Sequence, residues 1–435
     1  MNSGYRANPT WPDNGFDPSF ILDSGFPAFA QPPNLDPGIF NGQAVSGSYI
    51  EPQYGRPAMI SEWTLQVQQQ LAQDLIMTVG YVGNKAQNLH SNIQNINNID
   101  QKYFSLGNHL NDQVVGNTVG VTQPFAGFDA LWHGAQVQRA LRPFPQYDFI
   151  DSGCCLQNVG MSSYNALLVS VERRFRDGLN LLGSYTWAKQ VTNSDSLLPN
   201  NGVGVAQVQN VNNLHDEKAI SAQDVPHTVV LSWLYQLPFG PGRHWVNQGF
   251  ASYVVGGWQV GGVQRYMSGQ PVSFCCASGI PGFQNQIRFN RVSGSDLKSP
   301  AYHQGRINPI GAQTAIPSTN TLFNLDTIRQ PEGGAFFDQN AVANRGQFGA
   351  FSLGNMPRVT GEVRTPKYSN EDFSILKNTT IHENIVFQLK FELLNAFNRH
   401  TFSIPDTAPN DNLFGVPNGT LTNPRNVQIT GRINF

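Results

Sequence analysis

The chain is poor in charge. Of its 435 residues, 13% are Asp, Glu, Lys or Arg, about half the roughly 25% of an ordinary soluble domain. Lys and Arg number 27 against 29 Asp and Glu, a formal net charge of -2. The basic excess by which a protein holds nucleic acid is missing, so no nucleic-acid partner is expected. No apolar run approaches the ~18–20 residues of a membrane-spanning helix. That removes helical membrane proteins and leaves barrels open, since their hydropathy signal is weak. The opening Met1-Asn2-Ser3-Gly4-Tyr5-Arg6 has neither the basic nor the apolar region of a secretory leader. The expectation is either a cytosolic protein or a start that lies upstream.

Cysteine is scarce as well. Cys154-Cys155 and Cys275-Cys276 are two adjacent pairs, and no Cys-x-x-Cys spacing suggests zinc. Both pairs stand in loop-like sequence, which fits cross-linking in an oxidising compartment. Disulfides are expected, either between the two loops or within each pair. Catalytic signatures are absent too. There is no Gly-x-Ser-x-Gly elbow, phosphate-binding loop or His-Glu-x-x-His. No catalytic residue, cofactor or metal site is expected. His215-Asp216-Glu217 and His382-Glu383 read as solvated loop and turn. The oxygens of Asp406, Asn410, Asp411 and Asn412 lack the glycine and terminal Glu of a calcium loop.

Aromatics, glycine and proline are abundant, with 28 Phe, 13 Tyr, 7 Trp, 42 Gly and 28 Pro. The dominant pattern is alternation with period two, the mark of a strand with one apolar face. In Ser61 to Leu71, Trp63, Leu65 and Val67 oppose Gln66, Gln68 and Gln70. A second run starts at Leu75. Tyr164 to Phe175 is followed by Asp177-Gly178, a strong hairpin cue, and a run holding Leu181, Tyr185 and Trp187. His227 to Leu237, glycine-rich Gly256 to Ser268, the weak Glu371 to Thr379, Ile385 to Asn395 and Asn426 to Phe435 complete about nine strands.

The connections alternate in length. Short ones fall at 72–74, 176–178, about 238–254 and 380–384, and long ones at about 84–163, 191–225, 269–370 and 398–424. Compact soluble domains rarely hold one structureless loop beyond ~12–15 residues. Long loops confined to one side are the signature of an outer-membrane barrel, with short periplasmic turns and long extracellular loops. Trp63, Tyr81, Trp187 and Tyr235 lie on the apolar face toward strand ends, where a lipid-facing girdle belongs. The expected fold is all-β, a partial antiparallel transmembrane β-barrel of about nine strands. Gln66, Gln68, Gln70, Glu172, Arg174, Gln388, Lys390 and Glu392 would line its interior. An odd count ending in the periplasm must begin outside. Residues 1–60, punctuated by prolines, then form an extracellular loop-like segment, and 61–435 the C-terminal part of a barrel.

Several words carry a resemblance. They are Gly80-Tyr81-Val82-Gly83-Asn84, Ser163-Tyr164-Asn165-Ala166-Leu167, Tyr185-Thr186-Trp187-Ala188-Lys189, Asp224-Val225-Pro226-His227 and Leu237-Pro238-Phe239-Gly240. Gly256-Gly257-Trp258-Gln259-Val260, Ser268-Gly269-Gln270-Pro271 and Phe391-Glu392-Leu393-Leu394-Asn395-Ala396-Phe397-Asn398 follow in order. Across residues 60–435 the chain resembles the C-terminal barrel portion of Oar-like TonB-dependent outer-membrane transporters. That resemblance implies a wall of roughly 22 strands, a plug inside it and energy delivered by TonB. The plug, the TonB box and the early strands are not in this sequence. A contact with the TonB complex would run only through that plug. Terminal Phe435, on an alternating last strand, looks like the signal read by the barrel-assembly machinery. The other expected partners are outer-membrane lipid and an extracellular ligand of unknown identity. The rival readings are a surface adhesion or interaction protein anchored by the barrel and a soluble all-β carbohydrate-binding protein.

Overall fold

The computed structural model describes residues 21–26, 46–50, 54–91, 95–132, 134–151, 157–194, 208–274, 279–291, 297, 328–329, 351–382, 385–405, 407 and 420–435. Nine long strands form one sheet: β1 (Met59–Ala72), β2 (Leu75–Ser91), β3 (Gln157–Arg176), β4 (Leu179–Thr192), β5 (His227–Gln236), β6 (Trp258–Met267), β7 (Tyr368–His382), β8 (Ile385–Leu394) and β9 (Asn426–Asn434). Each pairs antiparallel with its neighbours in chain order, and a short tenth strand, Ala219–Ile220, joins β4. Among the described residues the sheet is a wall with two ends: β1 and β9 are its edges, and it does not close on itself. The alternation placed all nine strands. Three are clearly longer than expected: β2 runs on to Ser91 and β3 begins at Gln157, which shortens the first long loop at both ends, and β7 extends from Tyr368 to His382.

Paired residues share a face, so the register sorts the wall into two sides. One row reads Val67, Val79, Val169, Tyr185, Val229, Tyr266. Another reads Leu179, Tyr235, Val260, Ile375, Phe391, Ile429. The opposite face carries Gln68, Thr78, Ser170, Ser184, Val230, Arg265 and Asn370 in register. Asp177-Gly178 makes the two-residue turn between β3 and β4, with φ of 51° and 83°. Both values are positive, as a type I′ turn requires.

Little of the buried apolar core lies in the wall. Among the described residues the only apolar side chains its long strands bury are Ala86, Ala166 and Ala188, all toward the end that carries the long loops. The large buried side chains come from the loops. Ile99, Phe104, Leu110, Val114 and Val137 of the first loop pack with Ile280, Phe283 and Ile287 of the third. Val272, Phe274, Phe289, Leu297, Met356 and Val363 form a second cluster. A wall whose apolar side faces lipid has no need of a core behind it, and the water-facing loops build their own.

Candidate functional site

The long loops fold into a layer held by buried polar groups, and this layer is the candidate site. Its first part rests on asparagines, whose side-chain amides stand in for a missing strand partner. Asn97 Nδ2 donates to Phe144 O and Tyr147 O at 2.9 and 2.8 Å, while Phe144 N donates to Asn97 Oδ1 at 2.9 Å. Asn95 Oδ1 accepts from Ile150 N at 2.9 Å, and Asn98 Oδ1 from Gln284 N at 2.7 Å. Asp148 then gathers Arg139 Nη2 at 3.0 Å and Arg142 Nη1 at 2.9 Å. Burial raises the Asp148 carboxyl, but the two guanidinium groups outweigh it and hold it below the ordinary value. Burial lowers both arginines from their ordinary value. The Arg139 guanidinium also lies 3.6 Å from the Trp132 ring centroid, a cation–π contact.

The second part joins the second and third loops. Glu217 is fully buried and pairs with Arg288, itself buried. The same carboxylate accepts from Gln209 N at 3.0 Å and Asn210 N at 3.3 Å. Buried Arg358 donates to Glu217 O at 3.2 Å and to Thr192 O at 2.9 Å, tying the loops to the end of β4. Burial lowers Arg288 from its ordinary value, against the pull of Glu217. Gln209 Oε1 accepts from Arg288 N at 2.7 Å and Gly354 N at 3.2 Å. Asp224 makes a third tie: Gln190 N of β4 donates to Oδ1 at 2.7 Å, and Arg364 Nη2 to Oδ2 at 2.7 Å.

The solvated-loop expectation for His215-Asp216-Glu217 is therefore corrected at Glu217. His215 and Asp216 are exposed, but Glu217 points inward because Arg288 and two backbone N–H groups wait there. His382 is exposed at the end of β7. Cys154, Cys155, Cys275 and Cys276 lie outside the described residues, as do Glu383, Asp406, Asn410, Asp411 and Asn412. Phe435 stands just past β9, almost wholly exposed. On the polar face Lys390 Nζ meets Glu392 Oε1 at 2.6 Å, and Gln388 Nε2 donates to Asn378 Oδ1 at 3.1 Å. Among the described residues no group of His, Cys, Asp or Glu could hold a metal ion.

The sequence words turn out to be anchors of the wall and loops. Tyr81 of the first word donates its hydroxyl to Asn165 Oδ1 of the second at 2.6 Å. Asp224 opens the fourth. Asn395, with φ of 49°, turns the chain out of β8, and its Oδ1 accepts from Arg399 N at 2.7 Å. The arginines Arg288, Arg358 and Arg364 escaped the sequence reading. The one local signal is at Arg288, which apolar residues flank in Ile287-Arg288-Phe289.

A family model described as "Outer membrane beta barrel domain" matches residues 2–428. The chain belongs to that family. Its place is the cell outer membrane, which makes the apolar face of the wall the lipid side and the soluble carbohydrate-binding alternative untenable. Among solved structures, the outer membrane transporter YddB from Escherichia coli is similar at 10% identity and a TM-score of 0.40, over 92% of this chain and 36% of that one. The ferric-catecholate import receptor Fiu from E. coli K12 follows at 13% and 0.36, over 90% of this chain and 30% of that one. The FrpB iron transporter from Neisseria meningitidis gives 10% and 0.33, over 90% and 33%. This member of the barrel-domain family thus spans about a third of the length of those structures. No curated protein matches it.

Proposed function

We propose that the chain forms the C-terminal part of the wall, with the ligand-facing outer loops, of an Oar-like TonB-dependent transporter in the outer membrane. The observation that carries this reading is the one-sided loop layer on an open nine-strand wall. Its ion pairs make a rigid outer platform, and the unpaired edges of β1 and β9 call for further strands. The family words at the anchoring positions support the same reading. Residues 61–435 are then barrel, and 1–60 belongs with the outer loops. In support, Ser46–Ser48 pairs with Phe149–Asp151 of the first loop, and Gly55 N donates to Asn158 Oδ1 at 3.2 Å. The chain itself carries no catalysis. TonB would act through a plug supplied from outside this sequence, and Phe435 would serve the assembly machinery. The cysteine pairs would be oxidised in the outer loops.

An immunoblot of the native outer-membrane fraction, with an antibody to residues 191–225, tests this. A band far heavier than 47.9 kDa is expected. A band at that mass in the same fraction would overturn the partial-wall reading. Ligand binding that persists without energised uptake in cells lacking TonB would favour the adhesion alternative.

A further inference from the structure

The segment between β5 and β6 differs from the other turns at its end of the wall. β1–β2 and β3–β4 are joined by two residues each, Gln73-Asp74 and Asp177-Gly178, whereas here the chain makes an excursion over 237–257 that includes a short helix, Phe250–Val255. The excursion is a built element. Trp245 N donates to Pro238 O at 3.0 Å, Gly240 N to Trp245 O at 3.1 Å, and the Phe239 and Trp245 rings lie 5.6 Å apart. Gly240, at φ +105°, touches Gly256 backbone to backbone; a Cβ there would fall closer than 3.0 Å to the Gly256 Cα.

What this element presents is apolar and unburied. Phe250 is 84% exposed, Tyr253 66%, Trp245 59% and Val254 51%, while Ser252 is turned inward. Exposed aromatics crowded on one ordered element mark a surface that has a partner. The side on which the element sits identifies that partner. Lys377 of β7 and Trp258 of β6 are a direct pair in the register, in a row continued by Leu389, so they stand on the lipid side of the wall. Lys377 Nζ donates to Val254 O at 2.5 Å and Tyr253 O at 3.3 Å, and Trp258 Nε1 donates to Val254 O at 3.2 Å. The helix is therefore pinned by its C-terminal carbonyls to the lipid face, at the short-turn end. The excursion contains no Asp or Glu, and carries Arg243 and His244, a composition suited to lipid headgroups.

We propose that residues 237–257 form an in-plane anchor that sets Trp245, Phe250, Tyr253 and Val254 into the phospholipid leaflet on the periplasmic side of the outer membrane. Short turns mark the periplasmic end. The anchor extends the apolar band of the wall sideways into the interface. Lys377 lies 5.2 Å from the Trp258 ring centroid, holding its charge at headgroup depth. The role is separate from ligand uptake and holds whether or not the chain completes a transporter.

The test is photo-cross-linking of the full protein in the native outer membrane. A benzophenone amino acid replaces Phe250 or, in a second strain, Tyr253; a third carries it at Gln388 on the polar face. The expected result is a phospholipid adduct on the peptides bearing positions 250 and 253, several-fold above that at 388. Adducts to another protein alone, or lipid adducts no more frequent than at 388, would overturn the proposal. A second measurement needs no bulky probe. In vesicles of bromine-labelled phospholipid, Trp245→Phe should remove part of the quenchable tryptophan emission, and an unchanged quenchable fraction would count against the anchor.

Discussion

The Trp63 indole fills the space that a side chain on Gly83 would need. The two residues are opposite each other in the β1–β2 register, and a Cβ at Gly83 would lie closer than 3.0 Å to the indole ring. β1 is exposed along its whole length as an edge strand, so its hold on β2 depends on such cross-strand contacts. Gly83→Val should evict the indole and loosen β1 by about 1–3 kcal/mol, the usual cost of overpacking. Earlier loss of β1 to added protease, with β5 to β9 unaffected, is the expected readout.

Glu217 holds the second and third loops together. Glu217→Ala would strip the carboxylate from Arg288 and from the N–H groups of Gln209 and Asn210. Breaking a buried pair on one side costs about 3–5 kcal/mol, whereas replacing both partners with apolar groups costs far less. Glu217→Ala should therefore open residues 208–220 to hydrogen exchange, and Glu217→Leu with Arg288→Met should restore much of the protection.

The wall was legible because period-two alternation survives even where loops are long. Its faintest strand, Glu371 to Thr379, proved to be the fifteen-residue β7. Its signal was weak for a physical reason: Glu371 stands on the apolar face, masked there by Arg399, and it breaks the alternation. The loop layer was far less legible. Glu217 and Arg288 are 71 residues apart and Asp224 and Arg364 are 140 apart, so no local spacing links them. The helix at Phe250–Val255 was also missed, since six residues are too few to show a helical period.

Asp148 makes the first loop sensitive to acid. Its folded pKa lies below the ordinary value because Arg139 and Arg142 overcome the effect of burial. A depressed carboxyl stabilises the fold above its unfolded pKa, and that contribution is lost as pH falls through the folded value. Protection of residues 95–151 should hold from neutrality to about pH 4 and decline below it. Asp148→Asn should lower protection at neutral pH and flatten this acid decline. An unchanged acid limb in the variant would assign it to another carboxylate.

Arg399 covers the charge that β7 places on the lipid side. Glu371 is 2% exposed and pairs in register with Gln264, in the face that carries Trp233 and Phe373. Arg399 Nε donates to both of its oxygens, at 2.9 and 2.8 Å, and Phe397 packs edge-on to Phe373 at 5.8 Å. The hydrogen bond to the carboxylate in turn raises the Arg399 guanidinium above its ordinary value. Removing Arg399 leaves the carboxylate without its counter-ion against the bilayer, a change that costs several kcal/mol. Arg399→Ala should sharply reduce assembled protein in the outer membrane, and Glu371→Gln in the same chain should recover most of it, because the neutral amide needs no counter-ion. Equal loss in the single and double variants would mean that Arg399 serves the loop turn through its backbone bonds to Asn395, and not the charge.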